Sequence, residues 1–510
     1  MIVMHWILSL LIWVPILGGC VVLLLGQKES MACVSRWVAL LFSLITLALC
    51  VPLLHFFNAS TYKMQFTEYY TWIPTLNIHY ALGVDGISLL FILLTSFTHF
   101  VIILAAWRSI KHRVAQYMAI FLMSTGIMNG CFAATDAMVF FIFYEVSMLP
   151  MYLGIGIWGG ERRAYAAMKF FLFTFLGSVM MLAAILYLGF HAKTFDIAAF
   201  QNLILSTHSE DWICLAFLAA FAVKIPMWPV HTWLPDAHTE APAGGSVILA
   251  ALMLKMGAYG FVRFSLPIIP NVNAGIDWLL IGLSLVAIIY VGFACIVQKD
   301  MKRLIAYSSI SHMGLVTLGI FMVFMIAGKT HDFFDATLSV QGAVFQMIAH
   351  AFSSGALFIG VGYLAQRFGS RLIKDYSGLA HSMPIFAAFF VVFAMANVGL
   401  PGTTGFVGEF MVILAAFKAN VWIALGAALT VLLAPAYTLW MVKRILFGEL
   451  KHQAQAQAMD ITGLEIFVFV LLFVPTIVLG LYPEPILALS HASVYHFVGH
   501  VMNKVPLGVY

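Results

Sequence analysis

Charge is what this sequence lacks. Asp, Glu, Lys and Arg make up 9% of its 510 residues, against 63% hydrophobic. A soluble domain carries about a quarter charged residues, so this chain cannot cover a water-facing surface. The period-two alternation of a transmembrane barrel is also missing, while apolar runs about 20 residues long recur from end to end. Only helices satisfy their own backbone within such runs. The composition therefore predicts an all-α polytopic membrane protein.

Other absences narrow the chemistry. Cys20, Cys33, Cys50, Cys131, Cys214 and Cys295 fall in or beside apolar segments with no ligand-type spacing. They read as small buried hydrophobes, which excludes a disulfide framework or a cluster site. No nucleotide fingerprint, phosphate loop or catalytic triad occurs. The nearest candidate, Gly154-Ile-Gly156, lies within an apolar helix. No cofactor is expected in this chain, and whatever drives it is bound elsewhere. The first segment has no basic n-region and no small-residue cleavage site, so it is expected to stay as a membrane helix.

About fourteen spans are expected, near 3–26, 33–57, 83–107, 115–133, 136–158, 164–190, 212–230, 242–266, 277–297, 302–325, 339–365, 383–418, 420–446 and 463–482. Taking the connections alternately, one side carries 16 of the 25 Lys and Arg residues, from Lys28 to Lys451. The other carries 6: Lys63, Lys193, Arg263, Lys329, Lys418 and Lys504. Only Lys169, Lys224 and Lys255 lie inside spans. The positive side faces the cytoplasm, which puts both termini outside. Of the 21 acidic residues only Glu145 and Glu409 lie deep in spans. Asp85 and Asp136 stand at predicted helix starts, where a carboxylate is inexpensive.

Two spans are interrupted. VKIPMWPV (223–230) carries Lys224 among helix-breaking prolines, and VGLPGTTGFVGEF (398–410) carries Glu409 beyond Gly399, Pro401 and Gly402. They lie five spans apart. Corresponding interruptions in two halves are the sequence sign of an inverted-repeat transporter. This gives N-terminal helices over 1–114, a first repeat over 115–276, a second over 277–446, and a last helix with its tail over 447–510.

Insertion of a central charged side chain costs about 2.5–3.5 kcal/mol. Left unpaired, Glu145, Lys224, Lys255 and Glu409 would together cost roughly 10 kcal/mol, comparable with the stability of a whole domain. The bland alternative is that Glu145 and Lys224 form a buried pair that only locks helices. Apolar replacements of such pairs are often neutral or stabilising, so stability is a weak reason to have one. Lys255 has no acid in its own segment apart from a possible reach to Glu409, and burial without a partner disfavours a charged amine. Moving a proton against roughly 150–200 mV costs about 3.5–4.6 kcal/mol. At about 1.36 kcal/mol per pH unit of affinity, that is a swing of about three. Making and breaking one buried ion pair supplies it.

Histidines extend the row. His312 (SSISHMGLV) and His350 (QMIAHAFSSG) fall mid-span beside serines, and His231 and His238 flank the break after Lys224. Each has the alternative of a hydrogen-bonded core residue. His231, Asp236 and His238 lack a further ligand at ordinary spacing, so no metal site is expected. Lys169 joins the secondary row or only snorkels to the headgroups.

Taken together, VK followed by HTWLPDAHTEAPAGGS and LK, QKDMKRLIAYSSISHMG, QMIAHAFSSGALF and GLPGTTGFVGEF resemble the antiporter-like subunits of proton-pumping NADH–quinone oxidoreductase. The likeness covers essentially the whole chain. It is strongest to the subunit M and chain 4 branch, where the second broken helix typically carries glutamate, here Glu409, rather than the lysine of sister subunits L and N. The resemblance implies fourteen helices, with two inverted five-helix repeats and two discontinuous helices, around a hydrophilic axis. It implies a place between subunits L and N in the membrane arm, within the lipid bilayer and with no nucleic acid. NADH, FMN, iron–sulfur clusters and quinone would belong to partner subunits. By motif match Glu145 pairs with Lys224, Lys255 connects, and Glu409 ends the relay. His231, His238, His312 and His350 match axis positions. The expected setting is the bacterial inner membrane. A sodium/proton antiporter subunit, a membrane-bound hydrogenase module and an inert scaffold remain as alternatives.

Overall fold

The structure is a computed structural model that describes residues 5–269, 274–450 and 453–505; Lys451, one of the 16 cations assigned to the Lys-rich side, lies outside these. The helices in chain order are α1 (Ile7–Leu25), α2 (Ala32–His55), α3 (Gly86–Ser109), α4 (Val114–Ala133), α5 (Ala137–Val146), α6 (Met148–Trp158) and α7 (Arg163–Ala192). Then come α8 (Thr207–Lys224), α9 (Trp233–Glu240), α10 (Ala243–Ile268), α11 (Ala274–Ile296), α12 (Met301–Lys329) and α13 (Phe333–Phe368). The last five are α14 (Pro384–Val398), α15 (Thr404–Ala419), α16 (Val421–Leu446), α17 (Gly463–Leu481) and α18 (Glu484–Met502). Among the described residues, 11 helices are long and apolar enough to cross a membrane, with α5 and α6 counted as one kinked crossing. Adding α4 and the interrupted crossings α8–α9 and α14–α15 reaches the expected fourteen.

Helix starts are set by side chains that satisfy exposed backbone amides. Asp85 caps α3 in a reciprocal box with Ser88, Asp136 accepts from the amides of Met138 and Val139 to start α5, and Asp300 caps α12. Both early aspartates thus take the terminal positions read from the sequence. The connections gather at two ends. At one, Arg36 donates to the Ile110 carbonyl, Gly160 to Glu240, and Met301 to Arg371. At the other, Asn77 donates to the Lys193 carbonyl and Lys504 to that of Gln201, while Lys418 pairs with Asp335 at 2.6 Å. The Lys-rich and Lys-poor sets therefore occupy opposite ends of the molecule.

One element went unread in the sequence: an antiparallel hairpin, β1 (Gln65–Ile73) with β2 (Ile78–Val84), at the Lys-poor end. Its buried Glu68 accepts from the amides of Leu8 and Ser9 and from the Ser9 hydroxyl, anchoring the start of α1.

Burial sorts the helices. The most apolar stretches of α10, α12 and α13 are fully enclosed, whereas that of α17 is 22% buried and that of α7 39%. The first three form the centre, and they carry Lys255, His312 and His350. Around them helices approach closely at small residues, as membrane packing requires. A Cβ on Gly126 of α4 would stand 2.0 Å from the Ile12 carbonyl oxygen of α1. Gly126→Ala is therefore expected to destabilise this contact by about 1–3 kcal/mol. Thermal unfolding of the purified complex checks it, and an unchanged midpoint would refute the close approach.

Candidate functional site

The first break follows from proline chemistry. Pro226 and Pro229 cannot continue α8, so it ends at Lys224 and the chain resumes as α9. The Trp233 indole donates to the freed Val223 carbonyl at 2.9 Å. Lys224 thus sits at the negative end of a half-helix inside the membrane, where an ammonium is favoured. It is 1% exposed. Its Nζ lies 3.3 Å from Ser147 Oγ and 4.3 Å from the centre of the Tyr144 ring.

Lys255 is fully buried in α10 between two π-helical turns, Leu249–Met253 and Phe261–Ser265. Such turns cluster at functional sites because they re-aim backbone groups. Here the Ala250 carbonyl takes the Lys255 Nζ at 2.5 Å. The same Nζ lies 2.8 Å from Nδ1 of His350 on α13. From there the row runs on. The His350 and His312 rings are 5.7 Å apart between centres, and His312 Nδ1 meets Glu409 Oε1 at 3.0 Å. Gln346 donates to that oxygen at 3.1 Å.

Glu409 stands just past the first turn of α15, after a break closed by Gly399 at φ +80°. Only glycine adopts that conformation freely. A Cβ there would also come within 2.8 Å of Glu409 Oε2. The two breaks face opposite ways: α8 runs from the Lys-poor end to its break, and α15 runs from the other break to the Lys-poor end. His350, His312 and Glu409 are each 2–3% exposed. The Nε2 atoms of both histidines have no hydrogen-bond partner among the described residues. Buried nitrogens of this kind normally hold an ordered water. The arrangement can pass a proton from amine to imidazole to carboxylate, with one ring-to-ring step spanned by rotation or water.

The other expected members fall in three places. Glu145 does not touch Lys224. It is part-exposed, and neither carboxylate oxygen has a hydrogen-bond partner among the described residues. The helix turn that carries Glu145 points its neighbours Tyr144 and Ser147 at the amine instead. Nor does any hydrogen bond join Lys224 to Lys255. Lys169 does not merely snorkel: it pairs with Asp236 of α9 at 2.7 Å, with Arg303 3.8 Å away on the same carboxylate. His231 packs near Tyr307, and His238 stacks flat on Phe358 at 4.5 Å with both ring nitrogens unpartnered. Sequence reasoning missed Ser147, Tyr144 and Gln346. Gln346 stands one helical turn before His350, a spacing that puts it on the same face.

Two oppositely directed half-helices, with a buried Lys–His–His–Glu row on the helices between them, define an antiporter-like ion-translocating membrane subunit. Comparison with known proteins carries this further. The profile of the family described as NADH:quinone oxidoreductase/Mrp antiporter, transmembrane, matches residues 134–434. NADH-quinone oxidoreductase subunit M of Rhodobacter capsulatus is 44% identical, covering 97% of each chain. NADH-ubiquinone oxidoreductase chain 4 of Arabidopsis thaliana is 40% identical, again over 97% of each. A chain of respiratory complex I from Thermus thermophilus with bound NADH superimposes with a TM-score of 0.86 at 30% identity, covering 97% of this chain and 99% of that one. The chain belongs to the NADH:quinone oxidoreductase/Mrp antiporter family, on its subunit M and chain 4 branch.

Proposed function

We propose that the buried row Lys255–His350–His312–Glu409, fed from Lys224, carries protons across the membrane. The chain is a proton-translocating membrane-arm subunit of NADH–quinone oxidoreductase and does no redox chemistry itself. The observation that carries the relay reading is the series from Lys255 to Glu409: close contacts of 2.8 Å and 3.0 Å on either side of one 5.7 Å ring-to-ring step. A scaffold has no use for two facing histidines with unpartnered nitrogens in an apolar centre. Glu145 acts on Lys224 by approach: closing the pair holds the proton on the amine, and opening it, as here, lets the proton move on. NADH, FMN, iron–sulfur clusters and quinone belong to partner subunits, and quinone chemistry drives this subunit through coupling between distant sites. The chain sits between subunits L and N, in the bacterial inner membrane, with both termini on the periplasmic side.

The test uses the complete complex in vesicles. Glu145→Ala and Lys224→Ala are each expected to lower NADH-driven proton pumping severalfold or more. Near-normal pumping with either change removes the mechanism. A sodium/proton antiporter subunit is the second reading, favoured by the breadth of the family itself. Purification in mild detergent separates the two: co-purifying flavin and iron–sulfur proteins support the first, and their absence the second.

A further inference from the structure

In the row just described, no hydrogen bond among the described residues joins Lys224 to Lys255. A cavity of about 300 Å³ opens at the Lys-rich end. Exposed Gly160 and Gln366 form its rim, and Lys302, 4% exposed, lies in its wall with Glu240, Arg371 and Tyr363. Lys302 occupies an unfavourable place. It is in the first turn of α12, whose helix dipole repels a cation, and it is buried. Its Nζ is held by the Ala241 carbonyl at 2.6 Å, in the field of Asp300, Glu240 and Arg371. Three residues before Ala241 comes His238, fully buried and stacked on Phe358, with neither ring nitrogen hydrogen-bonded among the described residues. Phe358, on which it stacks, lies about two turns along α13 from His350, the partner of Lys255. The Tyr363 hydroxyl in the cavity wall is also buried without a partner.

We propose that Lys302 is the inner mouth of the relay, taking protons from water in this cavity and handing them through His238 to Lys255. The Lys302 ammonium gives a proton to a neutral His238 nitrogen and becomes an amine. Water in the cavity restores that proton from the inner phase, and the His238 imidazolium passes its own to neutral Lys255. Charge and protons balance at each transfer. Two features argue that the geometry is built for this. An amine needed only for packing would not be set at a helix start facing a polar cavity, and a core histidine would normally have at least one nitrogen satisfied. The inference rests on the relay reading above and adds a second entry to Lys255, beside the one from Lys224.

The test uses the intact complex in vesicles, with NADH-driven pumping read against assembly. Lys302→Met is expected to slow pumping severalfold or more, as for loss of a positioned proton-transfer group. Formate added to the inner-face medium should restore part of the rate, since a small diffusible acid can deliver protons through the emptied site. Lys302→Arg keeps the charge and the contact with Ala241 but does not release a proton at neutral pH, so it should remain slow. Normal pumping in either variant, or a loss in assembled Lys302→Met that formate leaves unchanged, overturns the proposal. Should Lys302 variants not assemble, Ala365→Cys on the cavity wall decides it. Coupling a bulky thiol reagent there should cut pumping relative to the unlabelled variant, with the wild-type complex treated alike as control; an equal rate overturns the proposal. Lys255 and Glu409 variants in the same assay separate the outcomes. If those pump normally the relay itself is wrong, and if only Lys302 is dispensable the mouth alone is misplaced.

Discussion

Lys255→Met is expected to stop proton pumping almost completely, by about a hundredfold or more, while leaving the complex assembled. The side chain is enclosed on every side, and methionine fills a similar volume without charge. The loss should therefore come from chemistry rather than from a cavity. What disappears is the one amine that touches His350, at 2.8 Å. No second titratable group on α10 reaches that imidazole, so the row loses its first member. Removing the charge also removes the cost of holding an ammonium in an apolar centre, about 2.5–3.5 kcal/mol on insertion scales. The account therefore predicts a complex at least as stable as the wild type and nearly inactive. Proton release and thermal stability of the same preparation check both halves. A stable complex that pumps normally would contradict it, and so would an inactive one that has fallen apart.

The second large effect is expected at Glu409. Glu409→Gln keeps the shape and can still bond with Gln346 and His312. It cannot take up a proton and pass it on. Pumping should fall by about a hundredfold, with structure preserved. Glu409→Asp, which retains the carboxyl but shortens its reach, should retain part of the rate because His312 can follow by rotating. Glu409→Lys sets an amine against His312 in place of the carboxyl and should do worse than glutamine, since a cation there opposes any proton arriving on the imidazole. The order Glu, Asp, Gln, Lys in falling pumping rate is the expected result. An unchanged rate with glutamine would remove Glu409 from the path.

The fourteen crossings, their two interruptions and the four principal charges were legible because each rests on a strictly local cost. A charged side chain or a proline in an apolar run is conspicuous whatever surrounds it. Partnerships were not legible, because they depend on how helices rotate against one another. Lys255 was placed within possible reach of Glu409, but the sequence could not show that His350 and His312 lie between them. The pairing of Glu145 with Lys224 followed from a motif match. Here the turn at Ser147 directs Tyr144 and Ser147 to the amine and leaves Glu145 part-exposed. Lys302 counted as one more inner-side cation, since nothing in its neighbours marks it as buried. The β1–β2 hairpin escaped because its burial follows no period of two: only Glu68 is buried in β1, and four consecutive residues are buried at the end of β2.

The measurement that meets the central claim most directly is an infrared difference spectrum of the complex between resting and NADH-driven states, recorded in H2O and in D2O. The account predicts a carboxyl C=O band that appears on turnover, shifts in D2O and is missing in Glu409→Gln. A band that persists in that variant, or a wild-type spectrum with no such band, would show that Glu409 never takes up the proton this structure is arranged to deliver.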